Sequence, residues 1–293
     1  MIAERYLGGN LAVWTVGRGT PILFVHGFPF DHIMWVPAAR MLAGSCQSIL
    51  PDLRGFGASN LVFRDSASGD GSGDDYDDYD DNDDVEYYDA NDLSPTTMSV
   101  FADDLASLLG ELGISQAVVC GLSMGGYIAM QFAKKYPNLL KGLILCDTKT
   151  EADTPKAAAG RRHLANTVIQ EGIEDLSDGA PGFLSPVTVD DTPEVLDAVR
   201  AMMNSQNAVG VASAALGMAE RFDTTAVLER LTVPVLVVTG EDDRLTPPES
   251  MRALAAKAKD SSFSVIEEAG HLAPMERPAV FEKIVRNWLK KSF

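Results

Sequence analysis

A chain of 293 residues with 46% hydrophobic residues has enough apolar mass for a large core, in one large domain or a domain carrying an insertion. Its formal charge of −18 argues against nucleic acid as a partner, since phosphate binding needs a basic surface, and no apolar run reaches the length of a bilayer span. Three cysteines (Cys46, Cys120, Cys146) cannot form a disulfide framework and lack metal-site spacing; two of them close apolar runs and read as buried thiols.

In chain order, the first residues lack the charged-then-apolar pattern of a signal peptide, so a cytoplasmic location is expected. Leu11–Val16 and Pro21–Val25 read as strands turned by Gly17–Thr20. A helical stretch near Met34–Leu42 and a strand at Ser48–Leu50 follow. Residues 65–92 then break the rhythm with thirteen acidic residues and no basic ones, so most of the negative charge is local and the remainder is only mildly acidic. Such a run cannot offset its ordering entropy by apolar burial and is expected to be an unstructured insert; it lacks the spaced glycine and glutamate of an EF-hand.

Met98–Leu112 has apolar residues at helical spacing, with Thr96 or Thr97 as N-cap. Strand Ala117–Cys120, a helix over Tyr127–Lys135 and strand Gly142–Cys146 come next. Residues 148–230 hold no convincing strand and read as a helical cap, with helices from Pro155, over Pro193–Met203, Asn207–Ala219 and Thr224–Leu231. Val233–Thr239 and Ser262–Ile266 are further buried strands, and Pro278–Lys291 is an amphipathic helix. The alternation predicts a mostly parallel sheet covered by helices, formed by residues 1–147 and 231–293.

The most informative position is Ser123, in Gly121-Leu122-Ser123-Met124-Gly125 between a strand and a helix. That context is what a nucleophile elbow needs: flanking glycines give the turn room, and the helix N-terminus faces developing negative charge. A serine hydroxyl needs a base. Of His26, His32, His163 and His271, the last two follow the serine in the chain; His163 reads as a surface residue of a cap helix. His271 lies in a loop past strand Ser262–Ile266, where open α/β sheets place their chemistry. Asp242, Asp243 and Asp147 each follow a strand closely enough to orient that imidazole, and position alone leaves the choice open. The amide of Met124 and that of Phe28, in the loop after strand Pro21–Val25, are the expected oxyanion donors. His26 is expected to brace its loop, while His32 and Trp35 are candidates to line the pocket.

Phe24-Val25-His26-Gly27-Phe28-Pro29, Asp52-Leu53-Arg54-Gly55-Phe56-Gly57-Ala58-Ser59, the Ser123 turn, Gly240-Glu241-Asp242-Asp243 and Gly270-His271 together resemble the α/β-hydrolase superfamily. The resemblance runs from near Leu11 to the C-terminus apart from the acidic insert, and it implies Asp243 as the acid. His26–Trp35 and Leu145–Thr148 further resemble 3-oxoadipate enol-lactonases and related small esterases. The implied function is a serine hydrolase acting on a small-molecule carboxylic ester or lactone with Ser123, Asp243 and His271, without cofactor, metal, nucleic acid or membrane. Carbon–carbon bond hydrolases and perhydrolases share this machinery. A non-catalytic ligand-binding protein of the same fold would be marked by loss of a triad member, and none is lost. Oligomeric state is not legible.

Overall fold

The computed structural model of the chain describes residues 3–7, 11–59, 61 and 93–293; the acidic run expected to be unstructured, residues 65–92, lies outside them. Eight strands form one sheet: β1 (Ala3–Leu7), β2 (Leu11–Gly17), β3 (Thr20–Val25), β4 (Cys46–Pro51), β5 (Ala117–Leu122), β6 (Leu140–Cys146), β7 (Val235–Gly240) and β8 (Ser261–Ile266). Their order is β1-β2-β4-β3-β5-β6-β7-β8. β1 and β2 pair antiparallel, β2 pairs antiparallel with β4, and every later pairing is parallel. The expected strands are all present. The edge strand β1 is an addition, a five-residue segment recognisable only through its pairing with β2.

The central strands are apolar at most positions because helices cover both faces. Alternate residues divide cleanly between two cores. Leu23, Val119, Leu143 and Val237 face α2 (Met98–Glu111) and α3 (Met124–Lys135), meeting Phe101, Leu105, Ile128 and Phe132. Phe24, Val118, Ile144 and Leu236 face α1 (Val36–Leu42) and a closing helix whose Phe281, Val285, Trp288 and Leu289 recur at one face. Each buried side chain of this size contributes about 1.5–3 kcal/mol.

Between β6 and β7 lie only helices: α4 (Pro155–Glu171), a 3-10 segment (Glu174–Phe183), α5 (Pro186–Asp191), α6 (Pro193–Asn204), α7 (Ala208–Ala219) and α8 (Thr225–Arg230). Their starts are locally encoded. Thr154, Ser185 and Asn207 accept hydrogen bonds from Ala157, Thr188 and Gly210 amides, and prolines open α4, α5 and α6. After β7 come α9 (Pro248–Ala255), then β8, α10 (Ala273–Glu276) and the closing α11 (Pro278–Ser292). The carboxyl ends of β3, β5, β7 and β8 therefore deliver Phe28, Ser123, Asp243 and His271 to one edge of the sheet.

Candidate active site

Ser123 is the single residue between β5 and α3, with φ 53° and ψ −113°. A non-glycine residue in this region carries about 1–3 kcal/mol of strain and persists only where its surroundings dictate it. They do so from two sides. The Ser123 N–H donates to the Cys146 carbonyl at 3.0 Å, and the Thr148 hydroxyl donates to the Ser123 carbonyl at 2.7 Å. A Cβ on Gly121 would collide with the Gly125 carbonyl, and one on Gly125 with the Val25 carbonyl, so both glycines are required by close backbone approach.

His271 Nδ1 lies 2.9 Å from Asp243 Oδ2, and both side chains are almost fully buried. A carboxylate only accepts, so Nδ1 is the donor and Nε2 is left as the basic nitrogen. Asp243 also accepts from the Leu245 and Thr246 amides and from the Thr246 hydroxyl. Burial alone would raise its pKa, but the His271 hydrogen bond and charge, with the Thr246 donors, outweigh that and bring it down to about 2. Asp243 is thus the aspartate that meets His271. The Asp242 amide is tied to the Ala269 carbonyl. Asp147 is fully buried with φ 46°, its Oδ1 accepting from the Gly240 amide at 3.0 Å and its Oδ2 without a partner among the described residues. Burial, then the charge of Asp243, pushes its pKa well up, disfavouring the charged form.

The other histidines have separate duties. The Leu53 amide donates to His26 Nε2 at 3.0 Å while Nδ1 donates to the Gly27 carbonyl at 2.8 Å. Burial lowers the His26 pKa to about 4 against the opposing Gly27 bond, so this histidine is a neutral brace between two loops. His163 is exposed on α4. Two expectations are corrected: neither His32 nor Trp35 lines the cavity that holds Ser123. His32 stacks on Trp14 with centroids 3.4 Å apart and bonds Asp52 Oδ1 at 2.7 Å. Trp35 is fully buried between Phe24 and Phe281, because its face of the helix turn points into the core. Asp31, His32 and Asp52 have the atom types of a metal site, but all four carboxylate oxygens already accept from protein donors, including the Ile33, Ala58 and Gln206 nitrogens.

Ser123 and His271 open into one cavity of about 380 Å³, which Phe28 also lines. Neither the Phe28 nor the Met124 amide donates to an acceptor among the described residues, so both N–H groups remain available as oxyanion donors. One residue that sequence reasoning missed is Glu276. Its two oxygens accept from the Gly270 and Ser185 amides, each at 2.8 Å, tying the His271 loop to the start of α5. The His271 and Leu272 amides both donate to the Phe183 carbonyl, so the same segment holds the base from a second side. A glutamate directly after the apolar run Leu272–Met275 was the available signal. Tyr127, Lys149 and Arg161 also line the cavity; Tyr127, one helical turn beyond Ser123, was legible from that spacing.

Residues 22–284 match the Alpha/beta hydrolase family. The chain belongs to that family and is a hydrolase. It is 38% identical to a thermophilic esterase from Thermogutta terrifontis, solved with malate bound, with a TM-score of 0.85 over 100% of this chain and 99% of that one. It is 28% identical over 200 residues to 3-oxoadipate enol-lactonase 2 of Acinetobacter baylyi, covering 68% of this chain and 73% of the relative. The enol-lactonase of Burkholderia xenovorans, 22% identical with a TM-score of 0.80 over 98% of this chain and 100% of its own, shares the fold.

Proposed function

We propose that this chain is a serine hydrolase cleaving a carboxylic ester or lactone through an acyl-enzyme. The observation that carries the reading is the pairing of His271 with Asp243 beside a cavity lined by the strained Ser123. Ser123 Oγ attacks the carbonyl carbon while its proton passes to His271 Nε2, and Asp243 stabilises the resulting imidazolium. The Phe28 and Met124 amides hold the oxyanion. Collapse breaks the acyl carbon–oxygen bond, and the imidazolium returns the proton to the leaving oxygen, which in a lactone stays tethered to the acyl chain. Water then gives a proton to His271 and adds to the acyl-enzyme; collapse releases the acid and restores the serine. The 38% identical esterase supports an ester as substrate.

The test is labelling with a fluorophosphonate, read by intact mass, beside hydrolysis of p-nitrophenyl esters of varied acyl length and of simple lactones. One adduct on Ser123 with turnover of at least one substrate class is expected. Absence of both overturns the reading.

A further inference from the structure

We infer that Thr148 is a positioning residue for the oxyanion hole: by holding the Ser123 carbonyl, its hydroxyl fixes the Met124 N–H on the far side of the same peptide plane. This rests on the serine-hydrolase reading above and adds a residue to its machinery.

The peptide bond joining Ser123 to Met124 is trans. A planar trans peptide points its C=O and N–H in opposite directions, so whatever orients one orients the other. Ser123 holds this plane at ψ −113°, outside the regions that L residues favour, so local preference does not set it. Two donors to the carbonyl belong to the turn itself, the Gly126 amide at 2.9 Å and the Tyr127 amide at 3.3 Å. The Thr148 hydroxyl, at 2.7 Å, is the only donor among the described residues that comes from outside the turn. Thr148 is buried, so solvent does not compete for the bond.

Thr148 is itself held firmly. Two residues earlier the Cys146 carbonyl accepts the Ser123 N–H, so Cys146 and Thr148 together grip both backbone polar groups of the nucleophile. Asp147 between them anchors the pair to β7: its N–H donates to the Val238 carbonyl at 3.1 Å, and its Oδ1 accepts from the Gly240 amide. On the helix side Gly126 leaves the necessary room. A Cβ there would collide with the Thr148 hydroxyl and Cβ, and so short a side chain could not swing aside and still reach the Ser123 carbonyl. The second of the paired glycines after Ser123 thus has a reason of its own.

When Ser123 Oγ adds to the substrate carbonyl, the negative charge collects on the carbonyl oxygen. The Met124 N–H bond to that oxygen strengthens as the charge grows, so a tilted peptide costs more in the transition state than in the bound substrate. Kinetics on whichever ester or lactone the wild type turns over test this in Thr148→Val, which deletes the hydroxyl, and Thr148→Ser, which keeps it. In Thr148→Val kcat is expected to fall about 10- to 100-fold, less than for outright loss of a donor, with KM changed by less than about threefold. In Thr148→Ser kcat is expected to return to within about threefold of wild type.

An alkyl trifluoromethyl ketone reads the anion directly. Ser123 Oγ adds to its carbonyl carbon, the serine proton passes to His271, and the ketone oxygen becomes the anion in the hole. Its inhibition constant is expected to rise in Thr148→Val by the same factor by which kcat/KM falls. Gly126→Ala keeps the hydroxyl but displaces it, and is expected to show the same paired loss, which covers a Thr148→Val that does not fold. Unchanged kcat in Thr148→Val, or an equal loss in Thr148→Ser, overturns the inference and leaves the esterase reading intact. A fall in kcat with an unchanged inhibition constant also overturns it, because the loss then lies outside the hole. Absence of turnover in the wild-type protein overturns the serine-hydrolase reading and this inference with it.

Discussion

At the scale of single residues, charge and backbone strain converge on Ser123, His271 and Asp243. Ser123→Ala deletes one hydroxyl and relieves no contact the fold needs, so kcat on an activated ester should fall by at least ~10³-fold with the melting temperature nearly kept. Activity above a tenth of wild type would discard the mechanism. Asp243→Asn should cost on the order of 10³–10⁴ in kcat by presenting the wrong hydrogen-bond partner to His271 Nδ1. Asp147→Asn should cost less than about tenfold, because Asp147 does not meet His271 and burial already disfavours its charged form. A crippled Asp147→Asn would reassign the acid. His26 gives a pH prediction. Its pKa is lowered from 6.5 to about 4 on folding, so between those values the unfolded chain binds the extra proton and stability falls as the pH falls. The contribution is fully present above pH 6.5 and is lost towards pH 4, on the order of 3 kcal/mol in all. Urea titrations across this window should give a shallower slope for His26→Gln than for wild type; identical slopes would mean that His26 is not the titrating group.

Among elements, the decisive contact joins α10 and the neighbouring His271 loop to the start of α5, distant in sequence. Glu276 in α10 holds the Gly270 amide beside the base and the Ser185 amide at the start of α5. The helices between β6 and β7 thus help to position His271 as well as wall the cavity. In Glu276→Gln the amide NH₂ would face one of those N–H groups, a donor against a donor. We expect kcat to fall roughly 10- to 100-fold with KM changed by less than about threefold, since the lost placement acts in the transition state. Steady-state kinetics with a melting curve decide it: an unchanged kcat would show that Phe183 alone suffices to hold the loop.

For the whole molecule, the two-core sheet is the frame, and the acidic run is expected to be dispensable to it. On composition alone, residues 66–92 offer little apolar surface against roughly 1–2 kcal/mol per residue of ordering entropy. Replacing them with a short Gly/Ser linker should leave kcat and Tm nearly unchanged while reducing the negative charge. A large loss of turnover confined to bulky esters would instead tie the run to the cavity mouth, and a calcium-dependent rise in Tm absent from the deletion would make it a metal site.

The sequence by itself determined the order of strands and helices, the Ser123 turn and the loop bearing His271, because periodicity, capping and glycine chemistry act over a few neighbouring residues. Chain position left open which aspartate meets His271, a choice that only the family resemblance made for Asp243; the sequence also proposed His32 and Trp35 for a pocket they do not line, and it missed Glu276. These points depend on pairs 28 residues apart for Asp243 and His271, 20 for His32 and Asp52, and 91 for Glu276 and Ser185. No local pattern specifies such a pair. Only the packed sheet brings the ends of separate strands together, and only there do burial and competing donors settle which carboxyl is charged and which side chains face the cavity.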